Sequence, residues 1–142
     1  MATNLRFNSS MWCNLAVALK NIEQLYNKAA SKTDMNVLEW YIIRALLTKD
    51  GQQASELARA VGRAPTSFTP ILDKLQSRGF IERRPHGNDR RALSIHLTKK
   101  AEDLRPVVEK EAQDVEDYIT QHMNSDDLPG FRSALLQLQN IV

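Results

Sequence analysis

Residues 79–98 read GFIERRPHGNDRRALSIHLT, and this stretch decides the fold. Hydrophobic residues alternate with polar ones on both sides of a centre that contains Pro85, Gly87 and Asn88. Alternation with a period of two is typical of half-buried β-strands, whereas proline, glycine and asparagine favour turns. We therefore predict a β-hairpin whose tip carries three arginines and a histidine: Arg84, Arg90, Arg91 and His86.

A helix with a hydrophobic stripe precedes the predicted hairpin and ends at Gly79. The stripe follows the spacing i, i+3, i+4 and i+7 that is typical of one buried helix face, and consists of Phe68, Ile71, Leu72 and Leu75. Pro70 lies inside this helix, where proline removes a hydrogen bond and clashes with the preceding turn. We expect a continuous but bent helix, and the alternative is a shorter helix that starts at Pro70.

A shorter helix, from about Gln53 to Val61, is predicted before this one, and Gly62 and Pro65 mark the tight turn between the two. Two short helices joined in this way form a helix-turn-helix. A helix-turn-helix followed by a hairpin is a winged helix, in which the second helix enters the major groove of DNA and the wing reaches the adjacent minor groove or backbone. We therefore expect residues 36–98 to form a winged-helix DNA-binding part.

Further helices are predicted on both sides of this part. Residues 8–30 carry a broad hydrophobic stripe at helical spacing. Asn36 and Glu39 form a capping box that opens a second helix, from Val37 to about Thr48. After the hairpin, residues 99–142 predict a long helix that is capped by Thr98, bends at Pro106 and runs to about residue 122, followed by a last helix capped by Ser125. The fold class that follows is mostly α with a small β-hairpin (α+β), in a single chain of residues 1–142.

Charge is unevenly distributed along the chain. The net charge is only +2, but residues 59–100 hold ten Lys/Arg against three Asp/Glu, a net charge of +7. Residues 101–142 hold three Lys/Arg against nine Asp/Glu, a net charge of −6. The basic block coincides with the predicted helix and wing, and such a block supplies the attraction to phosphates that dominates nucleic-acid affinity. We therefore expect double-stranded DNA as a partner.

The order of these elements resembles the MarR family (multiple antibiotic resistance regulators) of winged-helix transcription factors. The most specific resemblance is the wing motif D-x-R, here residues 89–91, followed by Leu97-Thr98 at the opening of the next helix. Leu57-Ala58 before Gly62 and residues 72–75 before Gly79 also match the family pattern.

The resemblance implies a homodimer whose first helix, 8–30, interleaves with the last two, 99–142. It also implies a pseudo-palindromic operator, repression of transcription, and release from DNA when a small-molecule effector binds between the dimerisation and DNA-binding parts. The hydrophobic stripes near both ends independently favour a dimer, because they exceed what a small winged domain could cover.

Several side chains are candidates for contact with DNA. Arg91 is the predicted minor-groove residue, and we expect Asp89 to hold its guanidinium by a charge-assisted pair. Pro70 is a candidate for packing on a thymine methyl group. The candidates for base or phosphate contacts are Thr66, Ser67, Thr69, Lys74, Arg83, Arg84, His86 and Arg90.

The effector site and the response to oxidation are less determined by the sequence. Trp40 and Tyr41 are candidate pocket residues, although pocket and core residues have the same hydrophobic pattern. Some proteins of this family sense peroxide through a cysteine in the first helix, so Cys13 is a candidate redox sensor. A cysteine on a hydrophobic helix is more commonly buried and structural, and we favour that interpretation.

Other functions are not supported by the sequence. It contains no nucleophile motif, glycine-rich phosphate loop or carboxylate constellation, so we expect no enzyme activity and no cofactor. The three histidines lack the spacing of a structural zinc site, so we expect no metal. A single cysteine and the lack of a long apolar segment favour the cytoplasm rather than a membrane. The remaining alternative is a winged helix that binds another protein instead of DNA.

Overall fold

The computed structural model describes Leu5 and residues 10–142, apart from the side chains of Pro65 and Arg90. Seven α-helices, three strands and one 3₁₀ turn follow each other in these residues. In chain order they are α1 (Met11–Ser31), α2 (Val37–Thr48), β1 (Gln52–Gln53), α3 (Ala54–Ala60), α4 (Pro65–Ser77), β2 (Ile81–His86), β3 (Asp89–Leu97), α5 (Lys99–Glu102), α6 (Arg105–Gln121), the 3₁₀ turn Ser125–Asp127 and α7 (Leu128–Gln139).

The predicted fold class is confirmed: the chain is mostly helical, with a three-stranded antiparallel sheet in the order β1-β3-β2. The predicted bounds of α2 agree with the structure, and the Asn36 side chain accepts a hydrogen bond from the backbone N–H of Glu39. The other half of the predicted capping box, in which the Glu39 side chain accepts from the backbone N–H of Asn36, is wrong. The Glu39 carboxylate binds Lys74 on α4 and Arg78, the residue that follows α4, and these cations are stronger partners for a carboxylate than a backbone N–H.

The third strand was missed because it is only two residues long. Gln52 pairs with Ile95 and Gln53 with Ser94, which joins the foot of the wing to the end of α2. The Gln52 side-chain amide donates to the carbonyl oxygens of Ala45 and Lys49, at 3.1 and 2.7 Å. The Ala45 carbonyl accepts this bond in addition to the one from the Lys49 N–H, whereas the Lys49 carbonyl lies past the end of α2.

The helix predicted after Thr98 is interrupted. Thr98 caps it as expected, accepting from the backbone N–H of Ala101, but α5 ends at Glu102 and α6 begins at Arg105. Pro106 explains the break, since it has no N–H to donate to the carbonyl of Glu102. The last helix also differs, because Asn124 rather than Ser125 caps the 3₁₀ turn that leads into it.

The core lies where α1, α2 and α4 meet the sheet and α6. Its largest fully buried side chains include Trp40, Phe68, Leu72 and Leu75. Hydrophobic side chains on α1 and near the C-terminus remain uncovered in the single chain: Met11, Trp12, Leu15, Leu19, Phe131, Leu135, Leu136, Ile141 and Val142. The predicted first helix, 8–30, begins at Met11 in the structure, and residues 8 and 9 lie outside the described part.

Candidate DNA-binding surface

The second helix of the helix-turn-helix, α4, presents a polar face to solvent. Phe68, Leu72 and Leu75 are each at most 2% exposed and anchor its inner face. The opposite face therefore points outward, and it carries the predicted contacts Thr66, Ser67, Thr69, Pro70 and Lys74. The helix continues through Pro70, as expected, so these side chains share one helical surface.

The turn before α4 determines the direction in which the backbone enters this helix. Gly62 has a φ of +67°, a conformation that glycine adopts without a steric penalty. The Arg63 N–H donates to the carbonyl of Ala58 at 2.8 Å, which closes the end of α3. The Ser67 hydroxyl donates to the carbonyl of Ala64 at 3.0 Å. Ser67 thus stabilises the first turn of α4, which reduces its availability for DNA relative to Thr66 and Thr69.

The wing is a hairpin whose tip is Gly87-Asn88. Pairing runs from Ile81 opposite Leu97 to His86 opposite Asp89. Gly87 has a φ of +56° at the first central position of the turn, where glycine is favoured in two-residue hairpin loops. The tip residues and His86 are exposed. The wing is therefore anchored at its base by buried side chains and solvated at its tip.

The Asp89 side chain has a different partner from the predicted one. Its Oδ1 accepts a hydrogen bond from the backbone N–H of Arg91 at 2.9 Å. Among the side chains that the structure describes, no ion pair joins Asp89 to the Arg91 guanidinium. Asp89 therefore shapes the backbone of the wing tip and leaves the exposed guanidinium of Arg91 available. The side chain of Arg90 lies outside the described residues.

Two predicted phosphate contacts are engaged within the protein. Arg83 is largely covered, with 21% of its side chain exposed, and its guanidinium pairs with Asp73 of α4 at 2.7 Å and also contacts Gln76. This pair ties the wing to α4 and corrects the interpretation of Arg83 as a free phosphate contact. Arg84 pairs with Glu82 on the same strand but stays 57% exposed, so water or a phosphate can still reach it.

Two further arginines extend the basic surface. Arg59 on α3 and Arg63 in the turn before α4 are exposed. Neither takes part in an ion pair within the part of the chain that the structure describes. They belong to the basic block but were not among the predicted contacts. They could not be predicted as contacts because the sequence alone does not show that they lie beside the start of α4.

The candidate effector residues Trp40 and Tyr41 lie in different surroundings. Trp40 is fully buried, and its indole N–H has no hydrogen-bond partner among the described residues. Tyr41 is partly exposed and lines a shallow pocket together with Arg44. A second cavity of about 320 Å³ opens between α2 and α6, again beside Arg44. Arg44 itself stacks on Trp40 and Tyr26, with its guanidinium carbon 5.0 and 5.8 Å from the two ring centres.

The predicted burial of Cys13 is wrong for the single chain, in which Cys13 is exposed. It lies at the start of α1, and its backbone N–H is bound by the Ser10 hydroxyl. Tyr26 lies 13 residues further along α1, which corresponds to about 20 Å at the usual rise per residue. The tyrosine hydroxyl is thus too far from the thiol within one chain to stabilise a thiolate.

One hydrogen-bonded chain has the residue types of a hydrolase triad. The Ser94 hydroxyl lies 2.8 Å from Nε2 of His96, and Nδ1 of His96 lies 3.7 Å from Asp50. Ser94 is only 4% exposed, however, so a substrate cannot reach its hydroxyl. These hydrogen-bonded side chains instead connect the centre of β3 to the loop before β1. In that loop, the Asp50 carboxylate also accepts a hydrogen bond from the backbone N–H of Leu97.

Two features are absent from the residues that the structure describes: a membrane-spanning helix and a metal-binding group of side chains. None of their helices combines the length and the hydrophobicity that crossing a bilayer requires. They contain no group of three or more His, Cys, Asp or Glu side chains that could hold a metal ion.

Comparisons with known proteins agree with this architecture. A model of the MarR family matches residues 35–93. The transcriptional repressor MprA of Escherichia coli K12 is 44% identical over 73 residues, which is 47% of this chain and 42% of MprA, so the match spans less than half of that relative.

Two solved structures share the fold at low identity. The transcriptional regulator PA4135 superposes with a TM-score of 0.82 at 19% identity, covering 94% of this chain and 98% of its own. NadR in complex with 4-hydroxyphenylacetate superposes with a TM-score of 0.79 at 22% identity, covering all of both chains. The members of this family are transcriptional regulators and not enzymes, in line with the sequence analysis. The winged helix, the D-x-R wing and these matches together show that residues 35–93 form a winged helix of the MarR family.

Proposed function

We propose that the protein is a cytoplasmic homodimeric transcriptional repressor that binds a pseudo-palindromic DNA operator and is released by a small-molecule ligand. The observation that carries the proposal is the exposed polar face of α4 beside an arginine-bearing wing. Both lie in the block of residues 59–100, whose net charge is +7. This charge supplies attraction to phosphates, and the two elements supply shapes that fit neighbouring grooves.

The recognition helix supports the sequence-specific part of the proposal. An α-helix fits the major groove of B-DNA, and residues in its N-terminal half commonly reach base edges. The exposed side chains of that half are small and short: Thr66, Ser67, Thr69 and Pro70. They allow the helix backbone to approach the bases closely. Lys74 lies one turn further on and offers a cation for a phosphate or a guanine.

The wing supports a second contact beside the first. In the proposed complex, Arg91 enters the narrow minor groove, where the negative potential is enhanced. Asp89 acts as a positioning residue, because its bond to the Arg91 N–H fixes the backbone at the tip. Arg84, His86 and Arg90 remain proposed phosphate contacts around the tip.

The uncovered hydrophobic side chains of α1 and α7 support the homodimer. Large contiguous hydrophobic patches on soluble proteins commonly mark interfaces. An open groove of about 1010 Å³ between α6 and α7 is lined by Ile119, Met123, Leu128, Phe131 and Leu135, among others. In the proposed dimer, helices of a second copy fill this groove. The two recognition helices then face two half-sites of one operator.

The cavity of about 320 Å³ between α2 and α6 is the proposed effector site. It is large enough for a small aromatic molecule, and its walls combine hydrophobic side chains (Leu47, Val108, Ala112) with the polar Arg44, Thr48 and Gln113. The likeness to NadR, whose structure contains 4-hydroxyphenylacetate, supports a ligand of this size. A ligand that releases DNA from the wild-type protein should lose this effect in Thr48→Trp, which narrows the cavity.

Peroxide sensing is a second candidate for the signal, and the exposure of Cys13 is the observation that favours it. A redox-sensing thiol needs access and also a stabilised thiolate. Access is present in the single chain, whereas Tyr26 lies 13 residues further along the helix, a separation of about 20 Å along its axis. Comparing DNA release with peroxide and with small molecules separates the two signals.

A titration with duplex DNA tests the proposed function. The wild-type protein is first used to select binding sites from a random duplex pool, and its affinity for the selected site is then measured by fluorescence anisotropy at several salt concentrations. We expect an enriched inverted repeat and a steep fall of affinity with salt, because several phosphates are contacted. No enriched sequence together with a shallow salt dependence would instead support a protein-binding winged helix.

A further inference from the structure

A buried carboxylate joins α2 to the recognition helix. Glu39 lies in the first turn of α2 and is 1% exposed. Its Oε2 accepts a hydrogen bond from Arg78 Nη1 at 2.8 Å, and its Oε1 accepts one from Lys74 Nζ at 3.1 Å. A carboxylate taken out of water needs such partners, because burial without them strongly disfavours its charge. Glu39 therefore takes its hydrogen bonds from Lys74 of α4 and from Arg78, the residue that follows α4.

The two cations are differently placed. Arg78 is held on several sides: its Nη2 donates to the backbone oxygen of Asp34 at 2.6 Å, and its guanidinium carbon lies 5.0 Å from the centre of the Phe80 ring. Lys74 lies one helical turn earlier, and 58% of its side chain is exposed. Arg78 is thus an internal anchor, whereas Lys74 reaches the outer face of α4.

The ammonium group of Lys74 has three N–H donors, of which the structure shows one bound to Glu39. The others are open to solvent, on the same helix face as Thr66 and Pro70. A lysine side chain is flexible, and holding its end in one position before binding lowers the entropy that DNA recognition must overcome. The Glu39 carboxylate provides such a hold from inside the protein.

We propose that Glu39 is a positioning residue for sequence discrimination: it fixes the orientation of α4 and the end of Lys74 against the DNA. This inference rests on the proposed DNA-binding function. It also predicts that Glu39 affects specific and non-specific DNA binding differently. A Lys74 ammonium held in one position favours one geometry of the DNA, whereas a freely moving ammonium contacts phosphates of any sequence. Glu39 should therefore strengthen binding to the operator but not to unrelated DNA.

The test compares Glu39→Gln with the wild-type protein on the selected duplex and on an unrelated duplex of equal length. Gln has nearly the same shape but removes the charge that attracts Lys74 and Arg78. We expect the ratio of the two affinities to fall at least tenfold, because operator binding weakens while binding to unrelated DNA is retained or strengthened. Glu39→Asp, which keeps the charge, should recover part of the ratio.

The matched control is Asp114→Asn. It removes the same charge from α6, where Asp114 pairs only with Lys110 among the described residues at 2.5 Å. This variant should keep the wild-type ratio, which excludes a simple effect of net charge. If Glu39→Gln weakens binding to both duplexes by the same factor, Glu39 has a structural role only and the inference is wrong.

Lys74→Gln keeps the inference testable even if Glu39→Gln does not fold, since Lys74 is exposed. We expect this variant to lower the affinity ratio and to reduce the salt dependence by about one phosphate contact. In the Lys74→Gln background, Glu39→Gln should change the ratio less than threefold. An unchanged ratio in Lys74→Gln overturns the inference. A wild-type protein that selects no sequence overturns the proposed function instead.

Discussion

Tyr26→Phe isolates one hydrogen bond between the N-terminal helix and α6. The Tyr26 hydroxyl donates to Oε1 of Glu116 at 2.6 Å. The ring packs on Trp40 and Tyr41, with both centre-to-centre distances at 5.6 Å. Phenylalanine preserves this ring packing and removes only the hydroxyl. The stability difference between the two proteins therefore reports the link from α1 to α6.

Burial, and then the hydrogen bond to Glu116 and its charge, raise the pKa of Tyr26 from 10.0 to about 12. Folding thus favours the neutral hydroxyl, so its contribution is complete below pH 10 and is lost between pH 10 and pH 12. With these two pKa values, the loss reaches about 1.4 kcal/mol at pH 11. At pH 8 the hydrogen bond to a carboxylate should contribute about 1.5 kcal/mol, near the lower end of the usual range because Glu116 is exposed.

Urea denaturation followed by circular dichroism measures both quantities at a fixed protein concentration. We expect Tyr26→Phe to be less stable than the wild-type protein by about 1.5 kcal/mol at pH 8, and the difference to be nearly absent at pH 11. Tyr118→Phe is the matched control, because it removes an exposed hydroxyl from α6. A difference that stays constant between the two pH values would refute the assigned role of the hydroxyl.

Four shorter predictions test the site and the architecture. Arg91→Ala should weaken operator binding by at least about 1–3 kcal/mol with an unchanged circular dichroism spectrum, and wild-type affinity would show that the wing does not read DNA. Leu72→Ala should lower the free energy of unfolding by about 2–5 kcal/mol, since Leu72 is 2% exposed, and a loss below about 1 kcal/mol in urea titration would contradict its place in the core. Cys13→Ser should leave DNA affinity unchanged, and peroxide should not release the wild-type protein; release that disappears in the variant would favour redox sensing. Sedimentation at low micromolar concentration should give twice the 16.2 kDa mass of the chain, and a stable monomer would overturn the dimer.

Elements with strong local signals were predictable from the sequence. The bounds of α2 follow from the Asn36 cap and the hydrophobic pattern, and the hairpin follows from alternation around its turn residues. The strand β1 was not predictable, because two residues carry no periodicity and are paired by contacts more than 40 positions away. The interruption before α6 was underestimated, since Pro106 is compatible with either a bend or a break.

The candidate site was predictable as a surface but not as a set of contacts. Arginines in a D-x-R wing indicate DNA binding, yet the sequence does not tell which of them are bound internally. Arg83 pairs with Asp73 ten positions away, and Glu39 pairs with Arg78 across 39 positions. Such pairs depend on how helices pack against each other, which periodicity within one helix does not determine. For the same reason, Trp40 could not be identified as a core residue beforehand.

The two ends of the wing should tolerate changes in length very differently. At its foot, Gln52 both binds carbonyl groups at the end of α2 and begins the sheet, so an inserted residue would break two sets of hydrogen bonds together. At its tip, a Cβ added to Gly87 would meet no atom within 4 Å, so the surroundings leave space for extra residues. Among relatives that share this foot, evolution can therefore lengthen or shorten the hairpin at the tip while the helices keep their positions. The reach of the wing along DNA is then a property that can diverge independently of the recognition helix.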